Sequence, residues 1–246
     1  MNAVVDYRPL PATIPMQQRL DLYAPIHKAL RHFMTDTLVR VGQMDTADSA
    51  DVEATLVQLG ELLTMLRGHL QTENDFVHPL IESRSAGGAS RIAQEHVEHL
   101  HALDTLQAEA GTVAAAPAGL RAVLALRLYR HLALFVAENL QHMHIEETAH
   151  NQLLWARCSD EELQRVHGEI LAHQTPQQLT LALHWMGSSL THAELAAMLG
   201  VMQHEMPPEM FRGVLDLVRP RLSGARWLKL ARALNLPQPA VAAGAR

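Results

Sequence analysis

The chain contains almost nothing that could form a β-strand, and this constrains its fold more than any other feature. Ala and Leu are abundant, whereas aromatic residues make up only 4% of the sequence. No run of alternating β-branched residues occurs, and apolar residues instead recur at intervals of three and four, which is the period of an α-helix. The sequence therefore predicts an all-α protein.

Short breaks divide the first two thirds of the chain into four long helical segments. The breaks are polar or contain glycine and proline, as in GQMDTADSAD, SRSAGGAS and GTVAAAPAG. We expect the segments at about residues 20–42, 49–83, 90–112 and 118–156. Because short connections make neighbouring helices antiparallel, the sequence predicts an up-down-up-down four-helix bundle over residues 20–157.

Capping and helix-breaking residues set the expected ends of these segments. Asp48 or Ser49 can cap the second segment and Ser90 the third, because their side-chain oxygens accept hydrogen bonds from unpaired backbone N–H groups. Pro79 is expected to end or bend the second segment, since proline lacks the N–H of an internal helical residue.

The chain ends differ from this central pattern. Residues 1–19 contain three prolines and no helical period, so they are expected to form an extended arm. Residues 159–238 predict a C-terminal helical extension of four or five shorter helices, with capping boxes beginning at Ser159 and Thr191. We interpret this extension as a packing or dimerisation element, with a partner-binding surface as the alternative, and residues 239–246 as a frayed tail.

Charge and cysteine content exclude several classes of protein. The formal net charge is −6 and the basic residues are scattered, which argues against a nucleic-acid partner. Cys158 is the only cysteine, so an intrachain disulfide and a cysteine-based zinc site are excluded. With no apolar run of about 20 residues and no signal-like N-terminus, we expect a cytoplasmic protein with no membrane partner.

Histidine is the outlier in the composition, with 16 residues among 246. Two histidines stand four residues before a glutamate, namely His69 before Glu73 in HLQTE and His142 before Glu146 in HMHIE. Residues four apart lie on the same face of a helix, one turn from each other. Each pair can therefore direct an imidazole and a carboxylate at one point inside a bundle.

Each of these pairs has a matching histidine on the preceding helical segment. His27 precedes the first pair and His96 the second, so that the pattern His…HxxxE occurs twice. A single HxxxE is usually a weak surface pair. Two copies on four alternate segments instead predict two similar hairpins that bring four imidazoles and two carboxylates together.

This set of side chains suits a pair of first-row metal ions. A carboxylate can bridge two metals, and the six residues offer about eight contacts where two octahedral ions need roughly twelve. The remaining positions are open to water, a bridging oxide, O2, NO or peroxide. Mixed imidazole and carboxylate ligands favour Fe or Mn over metals that prefer thiolates, while Zn stays an alternative.

The motifs resemble those of the hemerythrin-like family, also called HHE cation-binding domains. They stand in this sequence as IHKALR, HLQTENDFVHPLIE, RIAQEHVEHLHAL and HMHIEETAHNQLLW, and the resemblance covers about residues 20–157. It implies a hemerythrin-like bundle with a non-haem di-iron centre, whose two irons are bridged by oxo or hydroxo groups and by carboxylates. By this resemblance the metal ligands are His27, His69, Glu73, His96, His142 and Glu146.

Two departures from the oxygen-carrying members of that family bear on function. Those members have HxxxH on the third helix, whereas Leu100 stands four residues after His96 here. Their last carboxylate lies five residues after the final histidine, which makes Glu147 the alternative to Glu146. A site with one histidine fewer has more open coordination, which favours sensing, iron handling or redox chemistry over reversible oxygen carriage.

The sequence favours a protein that binds a small diatomic ligand or peroxide, or handles iron, over a dedicated enzyme. The alternatives are a di-iron peroxidase, oxidase or iron-delivering repair protein, and a purely structural helical interaction protein. Ferritin-like di-iron bundles are a further competitor, but their motif places Glu first and His three residues later. A homodimer or a protein partner is expected to use the C-terminal helices.

Several other polar residues near the motifs have expected supporting roles. Glu95 and Glu147 are expected to accept hydrogen bonds from ligand imidazoles, as metal sites commonly require. His78 is expected to line the entrance, His150 to support the ligands from outside, and His99 is a candidate replacement ligand.

Overall fold

The computed structural model describes residues 19–237, and within that range the chain is helical with no β-strand. The predicted arm, apart from Arg19, and the predicted tail lie outside the described residues. Two π-helical turns interrupt the long helices. The first part consists of α1 (Ala24–Gln43), α2 (Ser49–Thr72), a π turn (Glu73–Val77), α3 (His78–Arg84), α4 (Ser90–Ala115), α5 (Ala118–Ile145), a second π turn (Glu146–His150) and α6 (Asn151–Arg157).

The first part of the chain forms the predicted four-helix bundle. Helix α1 packs against α2 and α5, and α4 packs against the same two helices, so that helices consecutive in the chain are neighbours in space. The bundle core consists of apolar residues at helical spacing, among them Leu30, Phe33, Leu63, Leu103 and Leu132, all at most 1% exposed. The up-down-up-down prediction is confirmed.

Local hydrogen bonds explain where two of the helices begin. Helix α1 begins at Ala24 rather than at residue 20, because the Asp21 carboxylate accepts hydrogen bonds from the backbone N–H groups of Tyr23 and Ala24. Asp48 caps α2 by accepting from Ala50 N, which decides between the two predicted caps.

The cap predicted for the third helix was wrong. Ser90 is the first residue of α4 and makes no capping hydrogen bond. The Glu82 carboxylate instead accepts from the backbone N–H groups of Gly87 and Ala89 in the preceding loop. The same helix continues past Gly111 and ends at Ala115, because a single glycine is tolerated in a helix more readily than the proline that follows at Pro117.

The two π turns occupy corresponding places in the second and fourth helical segments. Each begins at the glutamate of an HxxxE pair, and its hydrogen bonds join residues five apart, as from His78 N to Glu73 O and from Asn151 N to Glu146 O. Pro79 lies in the first turn of α3 and does not end the segment, which continues to Arg84. Both turns therefore change the direction of side chains just beyond the predicted ligands.

A second helical unit follows the bundle and packs onto one side of it. It contains α7 (Asp160–His173), α8 (Pro176–Ser189), α9 (His192–Glu205), α10 (Pro208–Val218), a 3-10 turn (Arg219–Arg221) and α11 (Gly224–Ala233). The predicted capping boxes at Ser159 and Thr191 are present, and a third begins at Thr175. Its own core includes Leu199, Phe211, Val218 and Leu230. Within residues 19–237, none of the helices is both long and apolar enough to span a bilayer.

Helix α8 joins this unit to the bundle. Trp185 stacks on Phe33 of α1, with ring centroids 4.0 Å apart and planes at 17°. His32 of α1 lies with Nδ1 at 3.1 Å from the hydroxyl oxygens of Ser188 and Ser189. The contact is therefore partly apolar and partly hydrogen-bonded, and it involves the first hairpin of the bundle.

A small apolar cluster, which we call the end cap, closes one end of the bundle. Its buried members are Tyr23, Val77, Ile81, Ala89, Leu154, Cys158 and Leu163. Arg19 ties it together by donating to Asp160 and to the backbone carbonyls of Trp155 and Cys158. Along the second helical segment, the last residue of the bundle core is Leu70 and the first residue of the end cap is Val77. The turn between these two residues therefore lies between two apolar layers.

Candidate metal centre

The structure brings all six predicted ligand residues to one place between the bundle core and the end cap. Five of them are buried, and the sixth, the His69 side chain, is 9% exposed. One imidazole comes from each of α1, α2, α4 and α5, and the two carboxylates come from the first residues of the π turns. That these residues bind a metal stays a prediction.

The first half-site consists of two imidazoles and one oxygen from each carboxylate. The Nε2 atoms of His27 and His69 lie 3.2 Å apart. Glu73 Oε1 is 3.7 Å from His27 Nε2 and 3.4 Å from His69 Nε2, and Glu146 Oε2 is 3.6 Å from His27 Nε2. Two imidazole nitrogens at this distance need a proton or a cation between them, because two lone pairs would repel.

The second half-site repeats this arrangement with the other hairpin. The Nε2 atoms of His96 and His142 are again 3.2 Å apart. Glu146 Oε1 lies 3.6 Å from His96 Nε2 and 3.3 Å from His142 Nε2, and Glu73 Oε2 lies 3.4 Å from His96 Nε2. In each half-site the four candidate ligand atoms lie within 4.8 Å of one another.

Each glutamate therefore directs one oxygen into each half-site. All four oxygens of Glu73 and Glu146 are buried and accept no hydrogen bond from any residue between 19 and 237. Burying an ionised carboxylate is costly unless a cation compensates the charge. Two carboxylates shared between two pairs of imidazoles fit two bridged metal ions, so the residues present fit the predicted metal pair.

Without a metal, protons take the place of the cations. Burial alone lowers the pKa of His27 and of His96, but their contacts with carboxylates outweigh it and raise both values to about 9. Burial lowers the pKa of His69 to about 4. The pKa of Glu73 is held well below its usual value, against the effect of burial, by His69, His27 and His96. Metal binding must therefore displace protons from the site.

The outer nitrogen of His27 is held by an ion pair. Its Nδ1 lies 3.1 Å from Glu147 Oε1, and Arg31 donates to both oxygens of Glu147 at 2.5 and 2.9 Å. Against the effect of burial, His27 and Arg31 hold the pKa of Glu147 at about 2. Glu147 thus orients a candidate ligand from outside the site, and the carboxylate shared by both half-sites is that of Glu146.

Two further hydrogen bonds orient the imidazoles of the second half-site. His142 Nδ1 lies 3.0 Å from Glu95 Oε2, and His96 Nδ1 lies 2.8 Å from Asn74 Oδ1. Such contacts fix the ring orientation and leave Nε2 directed at the metal position. The roles predicted for Glu95 and Glu147 agree with these positions. Asn74 was not predicted, although its place directly after Glu73 was a signal in the sequence.

Three further buried residues lie against the site on its end-cap side. One ring nitrogen of His78, one ring nitrogen of His150 and one carboxylate oxygen of Glu146 all lie within 4.8 Å of one another. The His78 ring stacks on that of His96, with centroids 4.7 Å apart, and the Tyr23 hydroxyl is 3.2 Å from His150 Nδ1. His78 is only 6% exposed, so it lies inside rather than at an entrance.

His99 and Leu100 lie beside the second half-site but outside it. The His99 ring packs edge-on against His142, with centroids 4.7 Å apart, and it belongs to neither group of four ligand atoms. Leu100 packs against the bundle core. The helix that carries His96 therefore supplies one candidate ligand imidazole, to the second half-site, and Leu100 stands at the position of the missing HxxxH histidine.

The four-helix bundle, with its paired imidazoles and shared carboxylates, has the features of a cation-binding helical protein. The family model of the hemerythrin HHE cation binding domain matches residues 20–154, more than half of the chain. The chain belongs to this family, as its motifs predicted. Neither the curated proteins nor the solved structures that were compared with it give a match.

Proposed function

We propose that the protein is a non-haem di-iron protein that binds O2, NO or peroxide, or handles iron itself, in sensing, storage or a stress response. The observation that carries the proposal is the sharing of two carboxylates between two imidazole pairs, with four buried oxygens that have no other partner. Two metal ions held by these residues would supply two-electron chemistry with a small ligand.

Iron is the metal that this ligand set suits best. The imidazoles and carboxylates favour Fe or Mn, and the buried Cys158 belongs to none of the groups of candidate ligand atoms. When bound, iron would supply the redox and ligand-binding chemistry. The chain itself holds the imidazoles in place through Glu147, Glu95 and Asn74, and it excludes bulk water through the apolar layers on both sides.

Anaerobic reconstitution with Fe(II) tests this proposal directly. We expect about two irons per chain by mass spectrometry of the metal, and an oxo-bridged ferric absorption after exposure to air. A content well below two irons per chain overturns the di-iron proposal. Retention of manganese in preference to iron, in competition at equal concentrations, overturns the choice of metal while leaving the two-ion site intact, because manganese ordinarily binds more weakly than iron.

A di-iron enzyme is the second candidate, and the buried Tyr23–His150 hydrogen bond favours it. A phenol and an imidazole beside the metal pair can donate or accept protons during turnover of peroxide. Continuous consumption of hydrogen peroxide by the iron-loaded protein, with many turnovers per chain, supports a peroxidase. A single spectral change that saturates with one ligand per site supports a binding protein instead.

A further inference from the structure

A further group of buried polar side chains lies on the end-cap side of the candidate metal centre. It consists of His78, His150 and Tyr23, which are 6%, 3% and 1% exposed. Val77 directly precedes His78, and Tyr23 belongs to the same apolar cluster as Val77 and Ile81. Buried polar groups normally have hydrogen-bond partners, so this group requires an explanation.

The hydrogen bonds of this group are incomplete. His78 Nε2 is buried and has no hydrogen-bond partner. His150 Nδ1 contacts the Tyr23 hydroxyl at 3.2 Å, which leaves the opposite ring nitrogen, Nε2, for another partner. Both rings lie within 4.8 Å of a Glu146 oxygen through one nitrogen each. Two imidazoles therefore converge on one carboxylate that the metal pair also shares.

The first π turn and ordinary helical spacing together account for this convergence. At 100° per residue, a regular α-helix would place His78 about 140° around the axis from Glu73. In the observed turn the backbone hydrogen bond joins these same two residues, which brings His78 back toward the side of the glutamate. His150 is the last residue of the second π turn, four residues after Glu146. A residue four positions on lies on the glutamate's side in a regular helix as well, so the insertion is needed for His78 and not for His150.

Neither group of four candidate ligand atoms includes these two imidazoles. Each half-site already contains two imidazoles and two carboxylate oxygens within 4.8 Å. Both Glu146 oxygens are directed at half-sites, Oε1 toward His96 and His142 and Oε2 toward His27. A third metal ion would have to share an oxygen that already faces another ion, which argues for a hydrogen-bonding rather than a ligating role.

We propose that His78 and His150 bind the small ligand of the metal pair, donating hydrogen bonds to an anion of the hydroperoxide or azide type. Tyr23 orients His150, and the end cap excludes larger molecules from the position. The inference rests on the proposed function, because it requires a metal pair that leaves positions open on this side. N–H donors beside two cations select an anion over a neutral molecule of the same size.

Azide binding to the ferric protein tests the proposal. The variants are His78→Phe, which keeps the ring that stacks on His96, His78→Gln, which keeps an N–H donor, and Tyr23→Phe, which removes one hydroxyl. His144→Phe is the matched control, because His144 is exposed on the same helix as His142. Metal content, measured on every sample, and the dissociation constant for azide, measured by optical titration, are the two readouts.

We expect two irons per chain in all variants and weaker azide binding in only some of them. The loss of a hydrogen bond to a charged ligand predicts a dissociation constant about 10- to 100-fold higher in His78→Phe. We expect a smaller increase, about threefold, in Tyr23→Phe, a partial recovery in His78→Gln and no change in His144→Phe.

Three results overturn the inference. An unchanged azide affinity in His78→Phe, with two irons bound, shows that the imidazole does not contact the ligand and leaves the di-iron proposal standing. Three metals in the parent protein and two in His78→Phe show that the imidazoles are metal ligands instead. A parent protein that binds fewer than two irons overturns the proposed function, and this inference with it.

Discussion

The two helical hairpins of the bundle carry the same motif but have different surroundings. The first hairpin (α1 to α3) and the second (α4 to α6) each supply one imidazole, then an HxxxE pair, then a π turn. Helix α8 covers the first hairpin, where Trp185 stacks on Phe33. The outer face of α5 in the second hairpin is instead exposed and carries Leu120, Val123, Leu126 and Leu134.

The contacts behind the imidazoles differ as well. His27 is oriented by Glu147, a carboxylate paired with Arg31, whereas His96 is oriented by the neutral amide of Asn74. Each of these partners directly follows the shared glutamate of the opposite hairpin. Each hairpin therefore holds the other's histidine, and neither can form a complete half-site alone. A doubled motif therefore need not give two equivalent sites.

The largest expected effect comes from the shared carboxylates, where the two hairpins should behave alike. In Glu73→Gln and Glu146→Gln the amide cannot bridge two cations through both atoms, so both half-sites weaken together. We expect iron to fall from about two to well below one per chain in either variant. Metal analysis after anaerobic reconstitution measures this.

Glu109→Gln is the matched control for that experiment. Glu109 is also a buried carboxylate, but it pairs with His131 and Arg127 away from the site. Its variant should keep two irons. If Glu73→Gln lost only one iron and Glu146→Gln lost both, the carboxylates would not be equivalent bridges, and the symmetric description of the centre would be wrong.

Single imidazoles should separate the half-sites. His69→Leu removes one ligand from the first half-site and His142→Leu one from the second, so each variant should retain about one iron per chain. His101→Leu is a suitable control because His101 is exposed. Loss of both irons in either variant would indicate that the ions bind only as a pair.

The metal-free protein should lose stability as the pH rises. The folded-state pKa values of His27 and His96 are raised to about 9 by neighbouring carboxylates, despite burial, and that of His142 is also raised. Protonation of such groups stabilises the fold fully below pH about 6.5, and this contribution disappears as the pH passes 9. The effect is on the order of a few kcal/mol, at about 1.4 kcal/mol per pKa unit.

Thermal unfolding between pH 7 and 9.5, with and without metal, measures this dependence, because above pH 7 imidazoles with a lowered pKa, such as His69, are largely neutral in both the folded and the unfolded state. The melting temperature of the metal-free protein should fall over the range, while metal affinity rises because bound protons no longer compete. His27→Leu and His96→Leu should each remove part of the slope, one from each half-site. A metal-free melting temperature that rises from pH 7 to 9 would contradict the assignment of imidazolium to these residues.

The sequence predicted the bundle and the convergence of six residues because both depend on one periodicity. His69 with Glu73 and His142 with Glu146 lie within regular α-helix up to the glutamate, where the π turn begins. Spacing of four residues therefore places each pair on one face, as assumed. The short loops decide the antiparallel order, which brings His27 and His96 to the same level.

The surroundings of the site could not be predicted in the same way. His78 falls on the wrong side of a regular helix, and only the π turn returns it to the site. The hydrogen bond between Asn74 and His96 joins residues 22 positions apart and depends on the register between helices. The same register decides which imidazole pairs with Glu95, whose role was predicted without its partner. The stacking of Trp185 on Phe33 likewise depends on tertiary packing that no local pattern encodes.

The smallest expected effect concerns the partners of His27 and His96, and it is the sharpest test of how the hairpins differ. Glu147→Gln and Asn74→Asp exchange charged and neutral partners with little change in shape. A carboxylate behind an imidazole makes it a more basic ligand, and loss of such a partner typically lowers metal affinity by about 10- to 100-fold. Glu147→Gln should therefore weaken the first half-site, and Asn74→Asp should strengthen the second.

Competition with a chromophoric chelator measures the two affinities separately in His142→Leu and His69→Leu backgrounds, where only one half-site retains both imidazoles. Glu98→Gln is the control, because Glu98 is exposed on the same helix as His96. Equal affinities in the two backgrounds, unaffected by either exchange, would show that Arg31 already neutralises Glu147. The half-sites would then differ in structure without differing in their hold on the metal.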